Sequence, residues 1–434
     1  MNLGKASTSN ILADLRTLTE TIGARLAGSP QEKEAVDFLC ERFRQNGAQV
    51  TVEGFPTGVR DVTSQNLEIE IGGQWQSFPA SLFSSVPGTD GKTLEAPIVF
   101  FAGPVDYQRQ DFSWLRGKAV VHLSCHIESR SDYRRLIEAD PAFLLFVDIR
   151  YPGVIPLADG MFPAYTRAIG AKPTMNVAYM DAWRWQQAGA TRARLRVDGG
   201  MRPGQAANVI AELPGAGTGT ETIYVGAHHD TQADTPGGDD NASGTVILLE
   251  IARLLAERPR RRTIRLIAFG AEEQLSVGSA SYVRRHRAEV ERDACFMLNF
   301  DSCGAALGWY EINGNGPAAM FELMRTAFRK HNREVKITEN LVPYTDQFPF
   351  LVCGVPGVWV SRRCCTAGRF WHHRRDDDLR HLDPAELALQ AELAASVLDS
   401  LANAPEMPFD RTLPAAQKTA ALAMWDDLYG GFTP

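Results

Sequence analysis

Thr222-Ile223-Tyr224-Val225-Gly226-Ala227 is an unbroken apolar run, and the chain leaves it on His228-His229-Asp230. A run of this length without alternation reads as a strand buried on both faces, the kind found in parallel sheets. Working outward, a strongly apolar helix is expected at Thr245–Ala256 and strands at Thr263–Phe269 and Cys295–Phe300. A helix at Ala318–Lys330, a strand at Val355–Val360 and a last helix at Pro384–Asn403 complete the series. Strands and helices in alternation predict an α/β fold, a mostly parallel sheet with helices on both faces.

Open parallel sheets place their ligands beyond the carboxyl ends of the strands. His228, His229 and Asp230 follow the first strand, and Asp239, Asp240 and Asn241 follow the next loop. Glu272 and Glu273 follow the second strand, Asp301 the third, and Trp371, His372, His373 and Asp377 the last. Each group alone has an ordinary explanation. The Asp239–Asn241 cluster can cap a helix, paired glutamates suit a helix start, and His372–Asp378 can be an exposed loop. Their recurrence at successive strand ends points instead to a metal centre.

The donor types fit zinc, which takes imidazole nitrogen and carboxylate oxygen. Two His and three carboxylates suffice for two ions if one carboxylate and a water bridge them, a pair that polarises a carbonyl and acidifies the water. Glu272 is then a spare carboxylate able to take a proton from that water and pass it to a leaving amine.

The rest of the chain is less specific. Ile11, Leu12, Leu15 and Leu18 predict one helix. A second starts at a capping box, Ser29 with Glu32, with Pro30 at its first position. From Asp61 to Gly200 short apolar runs alternate with Gly, Pro and Asp turns, predicting a compact β-rich module with one or two helices. Gly199, Gly200, Pro203 and Gly204 read as a linker out of it. The expected division is therefore residues 1–60 and 203–434 as a catalytic unit and 61–202 as an insert.

A net charge of -7 argues against nucleic acid or an anionic membrane as partner. No signal-like or bilayer-length apolar run is present. The seven scattered cysteines, including the adjacent Cys364 and Cys365, read as reduced thiols, so a cytoplasmic location is expected. The tail after Ala404 has no clear pattern. Its Trp425, Leu428, Tyr429 and Phe432 could dock on the body or on a second subunit, and the insert is the other candidate surface for an oligomer.

The segments Gly226–Thr231 and Pro236-Gly237-Gly238-Asp239-Asp240-Asn241-Ala242-Ser243-Gly244 resemble the co-catalytic zinc aminopeptidases. That group also includes glutamate carboxypeptidase, the transferrin receptor and glutaminyl cyclase. Phe269–Glu273, Gly278-Ser279, Asn299-Phe300-Asp301 and the early Gly23–Pro30 fit the same pattern. The resemblance implies a three-layer, zinc-peptidase/phosphorylase-like fold, two zinc ions and a peptide substrate. It implies His228, Asp239, Glu273, Asp301 and His373 as ligands, with Asp239 bridging, Asp230 orienting His228 and Glu272 as general base. It also implies a cis peptide bond at Asp239–Asp240.

For the last ligand, Trp371-His372 with Asp376 is the other register, and counting back from Asp383-Pro384 favours His373 with Asp377. The Thr expected after that His is absent in both registers. Gln347 stands where a His is common in the family, and Tyr344 nearby is a candidate donor to a developing oxyanion. The insert resembles the protease-associated module. Alternative functions are a carboxypeptidase or dipeptidase, a single-zinc glutaminyl cyclase and a non-catalytic scaffold. Arg362, Arg363, Arg374 and Arg375 could serve a carboxylate-binding pocket, and read more simply as a solvated basic loop.

Overall fold

The computed structural model describes residues 3–127, 129–217, 219–363 and 370–432; Cys364 and Cys365 lie outside them. Four strands run parallel and adjacent at the centre, in the order Thr263–Phe269, Thr222–His228, Ala294–Phe300 and Gly357–Arg363. The pairings Phe269 with His228 and Asn299 with Gly226 keep their carboxyl ends nearly level, so the residues after each strand emerge at one edge. The margins are antiparallel. Trp309–Asn315 runs against Gly357–Arg363, and Arg192–Leu213 runs against Thr263–Phe269. Val335–Thr338 closes one side.

Helices cover both faces, as the unalternating runs require. Ile223, Val225 and Ala227 pack with Ser243–Leu255, Pro384–Asn403 and the two N-terminal helices, Thr8–Arg16 and Pro30–Gln45. Tyr224, on the opposite face, packs with Tyr282, Val283 and Phe350 from Val277–Arg285 and Phe348–Val352. The Ser29 hydroxyl accepts from the Glu32 amide at 3.1 Å, as a capping box requires. The Glu32 carboxylate, however, reaches past Ser29 to the Gly28 and Ala207 amides. It thereby pins the helix start to the sheet.

The expected linker at Gly199–Gly204 is instead ordered strand. Arg192–Leu213 pairs along its length with Gln49–Ile71, from Glu212 opposite Gln49 to Arg192 opposite Glu70, with one irregularity at Val62–Ser64. Glycine and proline read as breakers here, but a stretch paired on one side only tolerates both. The ribbon carries the insert. Its core strands Leu94–Phe101, Ala119–His122, Phe143–Val147 and Thr174–Val177 are parallel, and Arg130–Glu138, Pro163–Ile169 and Tyr179–Gln187 are helices. The insert is thus more helical than a β-rich reading allows. The helix Arg130–Glu138 buries only Tyr133 and Leu136, too few apolar positions to show a period in sequence.

The tail forms the helix Ala415–Met424 and a further turn over Trp425–Tyr429. It docks on its own chain. Trp425, Leu428 and Tyr429 join a core shared by insert residues such as Trp185 and body residues such as Phe348. The Asp427 carboxylate accepts from Tyr165 at 2.8 Å, and the Tyr429 hydroxyl donates to the Pro343 carbonyl. Among the described residues Cys40, Cys125, Cys295, Cys303 and Cys353 are free thiols, and no helix is long and apolar enough to cross a membrane.

Candidate metal centre

The sheet's carboxyl edge gathers the predicted residues into one buried group. His228, the last residue of its strand, has Nε2 3.0 Å from Asp240 Oδ1 and 3.6 Å from Asp301 Oδ1. His373 Nε2 lies 2.8 Å from Glu273 Oε2 and 3.3 Å from Asp240 Oδ2. His372 Nδ1 lies 2.7 Å from the same Asp240 oxygen, its ring stacked on His373. Asp240 therefore stands between two donor sets, His228 with Asp301 on one side and His372 with His373 on the other.

This corrects the expectation that Asp239 takes the central position. Asp240 and Asn241 leave helical geometry, at φ -113° and -139°, so a helical turn does not set where these side chains point. The Asp239 carboxylate turns away to accept from the Gly304 amide at 2.6 Å, and Asp240 turns into the site. The cis peptide bond likewise falls one residue later than expected, at Asp240–Asn241.

Polar groups behind the site hold these turns in place. The Asp377 oxygens accept from the Asp239 and Asp240 amides at 2.9 and 3.0 Å. Asn241 donates to the Phe300 carbonyl and accepts from the Gly244 amide, fixing the helix start against the strand carrying Asp301. A Cβ on Gly244 would lie 2.3 Å from the Phe300 oxygen, so this approach requires glycine. Asp230 accepts from the Glu272 and Glu273 amides, and its Oδ1 lies 3.6 Å from His228 Nδ1. It orients both a histidine and the glutamate turn. Ala271, Leu275, Ser276, Ser302 and His373 all hold left-handed backbone conformations. For non-glycine residues such conformations are costly, and they cluster where a site dictates the path.

Arg25 lies within the early Gly23–Pro30 motif. It is fully buried and donates to the carbonyls of Leu18, Gly23, His229, Pro236 and Gly237, clamping the loop between His228 and Asp239. Burial lowers its pKa to about 10, so it remains a cation at neutral pH. Arg25→Met leaves five carbonyls without their donor and is expected to destabilise the protein by about 3 kcal/mol. Thermal unfolding of the variant checks this, and an unchanged melting temperature would remove the clamp from the account.

Of the arginines read as a solvated loop, Arg362 and Arg374 are buried. Arg362 donates to the Ala305 carbonyl and Glu386. Arg374 donates to the carbonyls of Phe370, His372 and Ile155, tying the His372–His373 turn to the insert. The Ala158 amide donates to the His373 carbonyl at 2.8 Å and adds to that tie.

Electrostatics supply the test of whether these residues suit a bound cation. Asp230, Asp239, Asp240, Glu272, Glu273, Asp301, Asp346 and Asp377 are all buried, against Arg25 and the imidazoles of His228, His372 and His373. In the polypeptide alone, burial pushes Glu272 and Asp239 well above the usual carboxylate range. It pushes Glu273, Asp346 and Asp377 up to about 7. Burial opposes a charge on His228 and His373, yet the surrounding carboxylates hold both well above the ordinary histidine value. The set holds together only by taking up protons, and bound cations would replace them. His228 Nε2 and Glu273 Oε1 are buried with no hydrogen-bond partner among the described residues, which suits them as metal ligands. Imidazole nitrogens with carboxylate oxygens suit zinc.

The site opens into a cavity of about 790 Å³ between the sheet edge and the insert. Tyr344 lines it, whereas Gln347 is buried in the turn before Phe348–Val352. A cavity beside a polarising metal centre suits hydrolysis of a carbonyl substrate.

Residues 208–398 match the model of peptidase family M28. Aminopeptidase YwaD of Bacillus subtilis is 25% identical over 422 residues, covering 95% of this chain and 88% of that protein. Carboxypeptidase Q of Rattus norvegicus is 23% identical over 421 residues, covering 91% and 85%. A solved zinc aminopeptidase from Bacillus subtilis superposes with a TM-score of 0.76 at 20% identity, covering 95% of this chain and 99% of that one, a likeness of fold.

Proposed function

We propose, from the match of residues 208–398 to the model of peptidase family M28 and from the geometry of the site, that the chain is a zinc-dependent aminopeptidase whose centre holds two ions. One observation carries this reading: Asp240 stands between two sets of donors at the mouth of a cavity. His228 and Asp301 would hold one ion, Glu273 and His373 the other, with Asp240 shared. Bound there, zinc supplies Lewis acidity toward the scissile carbonyl and lowers the pKa of water. The chain's own residues do the rest. Asp230 fixes the His228 ring and the glutamate turn, and Glu272, 3.8 Å from His228 Nε2, takes the proton from water and returns it to the departing amine. The insert, in its likeness to a protease-associated module, roofs the cavity and excludes bulk water from it.

The names of the relatives support peptide hydrolysis from either end, so the substrate's free terminus is the point to test. Leucine p-nitroanilide is expected to be cleaved, and its N-acetylated form left intact. A chelator is expected to abolish the activity and zinc to restore it, with about two ions per chain by elemental analysis. Cleavage of N-acetylated dipeptides in preference to free ones would move the assignment to a carboxypeptidase.

A further inference from the structure

The cavity lies between the metal centre at the sheet edge and a wall of the insert built by Cys125, His126, Arg150, Tyr151 and Asp159. Arg150 gives Nε and one terminal nitrogen to Asp148, at 2.8 and 3.2 Å. Its Nη1 has no hydrogen bond among the described residues, and the side chain is 36% exposed. Asp148, only 3% exposed, also lies 3.6 Å from Arg374. Asp159 accepts from the Gly160 amide and lies 3.6 Å from His126 Nδ1. Burial opposes a charge on His126, but Asp159 pushes its pKa up to about 9. Arg150, Arg374 and His126 thus face Asp148 and Asp159, which leaves this wall net positive at neutral pH. Arg374 is buried and occupied by carbonyls, so the available cationic surface is Arg150 and His126.

We propose that Arg150 and His126 form a subsite for a carboxylate on the leaving side of the substrate, so that the enzyme prefers short peptides with a free C-terminus. The proposal rests on the peptidase reading above and adds its substrate class. With its scissile bond at the metal centre, a short peptide carries its terminal carboxylate into the cavity, where the insert wall presents Arg150 Nη1 and His126. Asp148 holds the guanidinium from behind, the arrangement that presents an arginine fork to a carboxylate. A peptide of any length satisfies the metal end, and the carboxylate contact makes the insert the part that measures length.

The test is a KM comparison on the zinc-loaded full chain, with Leu-Gly, Leu-Gly amide, Leu-Glu amide and Leu-Gln amide. Leu-Gly is expected to have a KM about tenfold below its amide, the effect of one charge-assisted contact. Arg150→Gln should bring that ratio close to one, and Arg150→Lys should keep part of it. Equal KM values for acid and amide in the unmodified enzyme would overturn the subsite while leaving the peptidase reading intact. A preference confined to Leu-Glu amide over Leu-Gln amide would overturn the short-peptide preference and assign the subsite to an acidic side chain. Failure to cleave any of the four would instead remove the peptidase reading on which the proposal stands.

Discussion

Glu272→Ala lowers kcat by about 10²- to 10⁴-fold with zinc content unchanged, if this carboxylate moves the proton as proposed. The geometry separates the two roles that such a variant must keep apart. Glu272 lies within 3.8 Å of His228 Nε2 but belongs to neither of the donor groups that converge on Asp240. It is held at the site by the Asp230 oxygen on its amide and by the Ser276 hydroxyl on its carboxylate. Burial gives it a strong preference for the protonated form in the polypeptide alone. A carboxyl so placed accepts a proton readily and gives it up only to a basic partner, such as the amine released when a peptide bond breaks. Glu272→Asp keeps the group but withdraws it by one methylene, and is expected to recover part of the rate. If Glu272→Ala binds zinc and retains full activity, the proton is moved by another group. Loss of zinc together with activity would make Glu272 a ligand.

What the sequence makes legible follows from how strongly each element depends on burial. The central strands lie between two helical layers, so Thr222–His228 and Thr263–Phe269 are nearly uniform apolar runs, found to within a residue. Trp309–Asn315 and Val335–Thr338 escape notice because Glu311, Asn313 and Thr338 face the cavity and break the run. Polar side chains sent to the site there remove the signal by which the strand would be read. The ribbon Gln49–Ile71 with Arg192–Leu213 is hidden for a different reason. Its middle, including Gly199–Gly204, has a partner strand on one side only, where glycine and proline are tolerated, and local rules read it as a linker. The strand-end donors are visible because histidine and carboxylate are rare at such positions without a purpose. Asp377 is visible as a strand-end carboxylate, but its role is not, because it accepts from the amides of Asp239 and Asp240, far earlier in the chain; Arg25 likewise acts through backbone carbonyls, three of them distant in sequence.

The adjacent aspartates give the sharpest test. Asp239 and Asp240 carry the same group, and spacing alone cannot say which enters the site. The backbone decides it, because the turn at Asp240 sends the two carboxylates to opposite sides. Asp240→Ala is expected to abolish activity and to strip most of the bound zinc, since its two oxygens are the only atoms shared by the His228 and His373 donor sets among the described residues. Asp239→Asn keeps an oxygen for the Gly304 amide, so it is expected to retain zinc and to cost about 1 kcal/mol or less in stability. Metal analysis and thermal unfolding of the two variants, side by side, separate the alternatives. Loss of zinc from Asp239→Asn with retention in Asp240→Ala would return the bridge to the earlier residue. Loss from both would mean that the turn itself, held by Asp377 on both amides, is what the metal requires. In that case Asp377→Ala should release zinc as well, although its own carboxylate touches only backbone donors in the described structure. The test therefore assigns the bridge and also measures how far the second-layer carboxylate maintains it.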